Sequence, residues 1–297
     1  MGLLSFLFGC ESRNPYHKKD GEWHFEKVAL RVDDDRDFTP LNRRFARSGK
    51  QGFYRSSTVT TTNGESFEGL SDHYAKDKES AYYCDTYRDG QDYFTTQRIR
   101  ITKIAGADPA TFRYLDSGYA RDTANVYASG KRFTVHDLNS FELLEHGYVR
   151  DRVRGYYMEA EIPGSDGSTF AVVDNHYSKD SAHVYFSNTE TNGGQHRGVA
   201  VSKGIAGALP ASFITLEEGY GADSARVYYE DKDLKDDRAS FRVMGFFYAK
   251  SSKYVYYMGE RIPGADAATF RTSQGPDDPP TASDAAAVYD GGRRVPK

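Results

Sequence analysis

The chain has 297 residues and a net charge of −4, with a sequence pI of about 6.1. This balance leaves no basic footprint of the kind that binding to nucleic acid or to anionic membranes needs. The mean hydropathy is −0.72, but the chain contains 23 Tyr and 18 Phe. Disordered chains are poor in aromatic residues, so we expect a folded protein whose core is largely aromatic.

The N-terminal apolar segment, residues 1–15, begins with the sequence MGLLSFLFGC. Gly9-Cys10 resembles the end of a lipoprotein signal, but the apolar run is short and no Lys or Arg precedes it, unlike a secretory signal. Phe6 stands where the myristoylation pattern requires Ser or Thr. We therefore expect a cytoplasmic protein that keeps this segment, with a lipoprotein anchored through Cys10 as the alternative. No stretch of the sequence is long and apolar enough to predict a membrane span.

Residues 16–73 contain two degenerate copies of a repeat of about 29 residues. We number each copy from its opening aromatic residue, position 0, which is Tyr16 in the first copy and Phe45 in the second. Both copies have aromatic residues within positions 7 to 9, an apolar residue at 14, Phe at 22 and Leu at 25. They keep this apolar skeleton without the signature residues found further along. Terminal repeats are expected to be atypical, because one side of them faces solvent.

Residues 74–272 contain six clearer copies. Their opening residues are Tyr74, Tyr119, Tyr148, Tyr177, Tyr220 and Tyr248. Position 3 is usually Asp, positions 7 to 9 read Val-Tyr-Tyr or close to it, position 11 is often Gly and position 14 is apolar. A Gly-x-Asp-x-x-Thr-Phe stretch follows and is clearest at residues 264–270. Residues 273–280 read as a linker, and residues 281–297 as a C-terminal half unit.

Local rules predict the structure of one repeat. The Asp favours a turn, Val-Tyr-Tyr favours a strand, and positions 10 and 11, such as Ser129-Gly130, suit a two-residue hairpin turn. The later Asp can cap a short helical turn, with Pro109 at its first position in one copy. One unit cannot bury its own apolar face, so we expect stacked units to share a core made from positions 0, 7, 9, 14, 22 and 25.

The predicted fold class is therefore an all-β or β-rich repeat array. It consists of tandem β-hairpin units with short helical turns in a solenoid-like arrangement. The alternative is a β-propeller with two units in each blade.

Two copies are much longer than the others. The distance from Tyr74 to Tyr119 is 45 residues and that from Tyr177 to Tyr220 is 43. The extra residues form hairpin insertions at 84–103 and 187–204. Equivalent points on stacked units project to the same side, so we predict one partner-binding edge; the alternative is that the insertions only pack on each other or on neighbouring units. The candidate contact residues are Tyr87, Asp89, Asp92, Tyr93, Phe94, Asn192, His196 and Arg197.

Catalytic and metal-binding signals are weak. No nucleophile elbow, zinc-protease motif or nucleotide-binding loop is present, so we expect no enzymatic activity and no cofactor. Cys10 and Cys84 form no CxxC, and the acidic run 33–37 lacks the Gly and the distal Glu of a calcium loop, so we expect no metal site. His73 and His176 directly precede opening tyrosines, which indicates a structural role. The repeated Asp and Tyr could offer one aromatic platform per unit to a glycan, but residues kept in every unit are better explained by the fold.

The signature resembles a known family. Tyr74-Ala75-Lys76-Asp77-Lys78 followed by Tyr82-Tyr83, and the related blocks downstream, are similar to the DKNYY repeat family of bacterial proteins. The resemblance is good over residues 74–295 and covers only the apolar skeleton of 16–73. The family has no established enzymatic activity. Its members are often encoded near secreted antibacterial toxins, which implies an immunity role.

We therefore expect a non-catalytic binding protein, specifically an immunity protein that neutralises a cognate secreted antibacterial toxin by direct binding. The alternative is a cell-envelope repeat protein that binds glycan or another surface ligand. An enzyme built on a repeat scaffold is the least supported of the three. We expect no nucleic-acid partner.

Overall fold

A computed structural model describes residues 14–59, 63–88, 90, 94, 96–191, 198–273 and 281–295. These residues form 35 strands in nine antiparallel sheets and one 3-10 turn, η1 (Leu138–Ser140). Neighbours in each sheet are neighbours in sequence, so every sheet is a simple meander. The chain is a β-rich array of tandem open sheets, as the repeat predicted. It divides into two compact units, an N-terminal unit of residues 1–134 and a C-terminal unit of residues 135–297.

The N-terminal unit contains sheets 1 to 4. Sheet 1 consists of β1 (Tyr16–Lys19), β2 (Glu22–Phe25) and β3 (Val28–Ala29). Sheet 2 consists of β4 (Thr39–Pro40), β5 (Phe45–Arg47), β6 (Gly52–Tyr54) and β7 (Ser57–Val59). Sheet 3 consists of β8 (Glu68–Gly69), β9 (Tyr74–Lys76), β10 (Ala81–Tyr87) and β11 (Arg98–Lys103). Sheet 4 consists of β12 (Arg113–Asp116), β13 (Tyr119–Arg121), β14 (Val126–Ala128) and β15 (Lys131–Phe133).

The C-terminal unit contains sheets 5 to 9. Sheet 5 consists of β16 (Glu142–Leu143), β17 (Tyr148–Arg150), β18 (Gly155–Tyr157) and β19 (Ala160–Glu161). Sheet 6 consists of β20 (Ala171–Val172), β21 (Tyr177–Lys179), β22 (Val184–Glu190) and β23 (Val199–Gly204). Sheet 7 consists of β24 (Ile214–Thr215), β25 (Tyr220–Ala222), β26 (Arg226–Tyr229) and β27 (Lys232–Asp237). Sheet 8 consists of β28 (Arg242–Gly245), β29 (Tyr248–Lys250), β30 (Val255–Tyr257) and β31 (Glu260–Arg261). Sheet 9 consists of β32 (Arg271–Ser273), β33 (Thr281–Ser283), β34 (Val288–Asp290) and β35 (Arg293–Val295).

Each four-stranded sheet combines parts of two successive copies. Its last three strands come from one copy, whereas its first strand is the end of the copy before. In sheet 5, for example, β16 precedes the opening Tyr148 and pairs with β17 through Glu142 and Arg150. A sheet therefore uses one repeat length of chain, whereas the propeller alternative required two.

The turns follow the predicted chemistry in part. Ser129 and Gly130 have φ values of 48° and 75° and join β14 to β15 as a two-residue hairpin turn, with Ala128 paired to Lys131. The predicted short helix is a 3-10 turn only at η1, where the Asp137 side chain accepts a hydrogen bond from Asn139 N. In the other copies that the structure describes, the same stretch is a tight turn.

The core extends beyond the predicted positions. Positions 0, 7 and 22 are buried in most copies, as expected, but positions 1 and 8 are buried in most copies as well. The reason is that both faces of a sheet are covered: Tyr74, Ala81 and Phe112 from the third copy form one cluster with Ala120 and Tyr127 of sheet 4. Position 25 is only partly buried, as at Leu41 and Leu70.

Two remaining features concern the cysteines and the membrane. Cys84 is a buried free thiol whose pKa is raised by burial, and Cys10 lies outside the described residues. In the described part of the chain, no helix has the length and hydropathy that crossing a membrane requires.

Candidate functional site

The repeated Asp at position 3 holds three segments of chain together. In sheet 6, Asp180 Oδ1 accepts hydrogen bonds from the backbone N of Ala182 (2.8 Å) and His183 (2.7 Å). Its Oδ2 accepts from the Tyr185 hydroxyl at 2.7 Å and from Asp166 N, in the turn before the sheet, at 2.9 Å. The same arrangement recurs at Asp122, Asp151, Asp223 and Asp284.

These contacts explain both signature residues. Burial opposes ionisation of Asp180, but the hydrogen bonds outweigh it and hold the pKa of the carboxyl below its usual range. Burial, followed by the hydrogen bond to Asp122, raises the pKa of Tyr127 to about 12. The tyrosines at position 8 are buried, so their rings are not accessible as platforms for a sugar. The repeated Asp and Tyr are structural, as the sequence indicated.

In five of the sheets, the hydroxyl of the opening tyrosine makes a hydrogen bond to the next sheet of the same compact unit. The Tyr74 hydroxyl donates to Gly118 O and accepts from Gly130 N, both at 2.9 Å. Equivalent links join sheets 1 and 2, sheets 6 and 7, sheets 7 and 8, and sheets 8 and 9. Their tyrosines are Tyr16, Tyr177, Tyr220 and Tyr248.

The link is absent in the two places where the next sheet carries a long hairpin. Sheet 2 has Phe45 at position 0, which has no hydroxyl. In sheet 5, the Tyr148 hydroxyl is buried without a hydrogen-bond partner. A continuous strand replaces the usual turn at the corresponding point of sheets 3 and 6.

A histidine stabilises the start of each long hairpin. His73 Nδ1 lies 2.8 Å from Cys84 O, and His176 Nδ1 lies 3.1 Å from Ser187 O. The two rings stack on Tyr83 and Phe186, in both cases with centroids 5.8 Å apart. These contacts give both histidines a structural role at the start of the long hairpins.

The first long hairpin, formed by β10 and β11, is paired from Tyr82↔Lys103 to Tyr87↔Arg98. Ile99 and Ile101 pack against the core between sheets 2 and 3. Arg100 Nε donates to Asp85 Oδ1 at 2.9 Å, and its guanidinium lies 5.4 Å from the centre of the Tyr87 ring. Phe94 is 88% exposed. The candidate residues Asp89, Asp92 and Tyr93 lie outside the described residues.

The second long hairpin, formed by β22 and β23, is paired from Tyr185↔Gly204 to Glu190↔Val199. Its Ala200 packs against the core between sheets 5 and 6. The candidate residues Asn192, His196 and Arg197 lie outside the described residues. Each hairpin thus packs on the preceding sheet of its own compact unit, and the single partner-binding edge stays a prediction.

The sequence did not predict a cleft in the C-terminal unit, which we call the turn cleft. It has a volume of about 600 Å³ and lies between turns of sheets 6, 7 and 8. Its apolar lining includes Phe247 and Met258, and its polar lining includes Glu218 and Glu230. The sequence carried one sign of it: Met258 is a large apolar side chain at a predicted hairpin-turn position, where Gly or Asn is the usual choice.

The acidic run 33–37 forms ion pairs with nearby basic side chains. In the acidic run, the Arg36 guanidinium binds Asp34 and holds the pKa of that carboxyl at about 2, while Lys18 pairs with Asp35 at 2.7 Å. Among the residues described, no group of three or more His, Cys, Asp or Glu side chains could hold a metal ion.

One comparison identifies related sequences. The model described as the DKNYY family matches residues 87–160, 131–190 and 148–292. No curated protein and no solved structure is significantly similar to the chain.

Proposed function

The chain belongs to the DKNYY family, and from this premise we propose that it is a non-catalytic immunity protein that neutralises a cognate secreted antibacterial toxin by direct binding. The family supports this role, because genes of its members often lie near genes for secreted antibacterial toxins. We place the protein in the cytoplasm, where it would meet an incoming toxin.

The observation that carries the proposal is the division between repeated and variable residues. The repeated Asp and Tyr are buried and make hydrogen bonds within the fold. The largest departures from the repeat are the two long hairpins, whose described outer residues include the exposed Phe94 and Val199. A scaffold whose common residues stabilise it and whose variable residues lie outside supports binding rather than catalysis.

The first long hairpin also has properties of a binding element. Its base is stabilised by His73 and by the core, so that little ordering remains to be done on binding. Tyr87 and Arg100 lie together on it, and Tyr and Arg are frequent anchors in protein interfaces.

Co-expression with the protein encoded by the adjacent gene tests the proposal. We expect the chain to restore growth of cells that express the neighbour and to co-purify with it. Exchange of both Tyr87 and Phe94 for Ala should weaken binding by about tenfold or more, since anchors of this kind dominate interfaces. The matched control is Tyr254→Ala, another exposed aromatic residue, on a copy without a long hairpin.

Lack of growth rescue by the wild-type chain would remove the toxin role. Native protein found in the envelope fraction and bound to cell-surface glycan would favour the cell-envelope alternative instead.

A further inference from the structure

We propose that the turn cleft of the C-terminal unit is a docking groove for an extended, basic segment of a partner protein that carries one apolar anchor residue. This inference rests on the proposed binding function and names a surface and a partner chemistry for it. The surface is distinct from the outer ends of the long hairpins.

The cleft is built from turns of three successive sheets and from strand β22 of the second long hairpin. Sheet 6 contributes His176 and Asn188, sheet 7 contributes Glu218 and Glu230, and sheet 8 contributes Phe247. Packed sheets lie about 10 Å apart, so three of them span about 20 Å, which matches about six residues of extended chain. The groove thus has the length of a short peptide segment.

The apolar residues of the cleft are exposed residues at turns with left-handed backbone. Phe247 and Met258 are 46% and 45% exposed, and their φ values are 63° and 47°. A bulky side chain in this left-handed region is an outlier, because Gly or Asn adopts it more easily. The same backbone occurs at equivalent turns such as Ser129 and Met158, so it belongs to the repeat. The large apolar side chains placed next to acidic ones, rather than the backbone itself, support a use outside the fold.

The cleft is acidic and therefore favours a basic partner. Asp174, Glu218 and Glu230 line it and are half-buried. None of the three forms an ion pair with a residue that the structure describes, and the lining includes neither Lys nor Arg. Partly desolvated carboxylates without a cation attract one, so we expect Lys or Arg in the bound segment.

A hydrogen bond orients one of these carboxylates. Glu218 Oε2 accepts from Phe247 N at 2.6 Å and so connects the turns of sheets 7 and 8. The acidic and apolar parts of the cleft are therefore held next to each other, and a bound segment can meet both at once.

A second cavity provides the place for an apolar anchor. It has a volume of about 260 Å³ and lies between sheets 8 and 9. Phe247 lines both cavities, and the other walls of the smaller one include Phe246, Tyr257 and Tyr289. An aromatic recess next to an acidic groove suits a basic segment with one large apolar side chain.

The first experiment uses a short synthetic peptide of alternating Lys and Leu, with a Glu and Leu peptide for comparison. The test variant of the full chain combines Glu230→Gln with Met258→Asn. The matched control combines Glu159→Gln with Met158→Asn, because Met158 has a φ of 45° and is 50% exposed in the equivalent turn of sheet 5. Asn tolerates left-handed backbone, so both variants should fold.

We expect saturable binding of the basic peptide by the wild-type chain, with weaker binding at high salt. The test variant should lose about tenfold in affinity and the control less than about twofold. Equal losses in both variants, equal affinity for the acidic peptide or absence of saturable binding would overturn the proposal. If the test variant melts early, Glu230→Gln alone should still lose about threefold.

A second experiment separates this inference from the proposed function. If the wild-type chain protects cells from the neighbouring gene's protein and the test variant protects them equally, the partner binds elsewhere and the groove proposal is wrong. If the test variant loses protection and the control keeps it, the groove is part of the interface. If the wild-type chain gives no protection, the toxin role is lost and the peptide titration alone decides the groove.

Discussion

A single carboxylate does the work of a small hydrogen-bonded network in most of these sheets. Asp180 accepts from two backbone N–H groups of its own turn, from Tyr185 and from the preceding turn. Hydrogen bonds to a buried ionised group are strong, and leaving any of these donors unpaired is costly. These hydrogen bonds explain why Asp and Tyr recur together, five residues apart.

We expect Asp180→Asn to destabilise the protein by about 2 kcal/mol, the usual cost of losing hydrogen bonds to a charged acceptor. The amide oxygen can still accept from Ala182 and His183, but the NH2 group then faces Asp166 N, which is also a donor. Urea unfolding at neutral pH measures the loss. Asp20→Asn, at an exposed turn position, is the control and should change stability by less than about 0.5 kcal/mol. Equal effects of the two changes would contradict the role of Asp180.

The same carboxylates set the pH dependence of stability. Hydrogen bonds, against the effect of burial, lower the pKa of Asp122, Asp151, Asp180 and Asp223, and the pKa of Asp284 falls to about 2. A carboxyl with a lowered folded-state pKa stabilises the protein above its unfolded pKa of about 3.9 and loses this contribution as the pH falls through the folded value. Stability should thus be level between pH ~5 and pH ~9 and fall below pH ~4. The stability of the Asp180→Asn variant should fall less steeply with decreasing pH than that of the wild type. Parallel stability curves for the two proteins would show that Asp180 does not contribute to the pH dependence.

At the scale of the element, the hairpin turns also act as contacts between sheets. Gly259 lies in the turn between β30 and β31, and a Cβ placed there would lie 2.6 Å from Tyr229 Cβ of sheet 7. Glycine is therefore required at residue 259 for two reasons: the backbone is left-handed, and the Tyr229 ring leaves no room for a Cβ atom.

Comparison of Gly259→Ala with Gly264→Ala separates these two causes. Both glycines have a φ of 72°, but no atom lies within 4 Å of a Cβ at Gly264. We expect Gly264→Ala to cost about 1 kcal/mol from backbone strain, and Gly259→Ala to cost about 3 kcal/mol because overpacking adds to that strain. Thermal unfolding measures both. Similar costs would mean that Tyr229 moves away freely.

Much of this element structure was predictable. The repeat spacing predicted a tandem array of β-hairpin units, and the sheets form such an array. The two expected insertions fall where β10 pairs with β11 and β22 pairs with β23. The Asp-capped turn after the hairpin was also predicted; it is a single turn, as at Thr111 N to Asp108 O, and a regular 3-10 turn at η1. Burial of Tyr127 at position 8 was missed because a run of three apolar residues does not show whether a neighbouring sheet covers the second face.

The candidate surfaces were predicted less completely. The extra length of two copies indicated the long hairpins. The turn cleft was not predicted, because sequence spacing indicates turns near Glu218 and Phe247 but does not show that these turns contact each other. Contacts between turns of successive sheets depend on how the sheets stack. The left-handed φ of Met258 is likewise a property of the folded turn.

At the scale of the whole molecule, the core is a series of contacts between neighbours. Each cluster found in the described residues draws on two consecutive sheets of one compact unit. Arrays of this kind gain stability from each unit and from each nearest-neighbour interface. A change at one end should therefore be felt most strongly by the adjacent sheet.

We expect deletion of residues 281–297 to loosen sheet 8 selectively. The deletion removes β33, β34 and β35, whose Ala282 and Tyr289 cover Val255 and Phe270. Amide hydrogen exchange should become at least about tenfold faster in β30 and change less than about twofold in β18, because local opening follows local contacts. A uniform increase across the C-terminal unit would instead indicate all-or-none cooperativity.

The first strand of each four-stranded sheet, supplied by the copy before, has a consequence for how such a chain can grow. Because each sheet contains strands from two successive copies, the sequence can be divided into repeats at any point of the period. Duplication of any window of one repeat length, wherever the crossover falls in the gene, adds the segments for one complete sheet in the correct order. Unequal recombination can therefore lengthen the protein from almost any breakpoint.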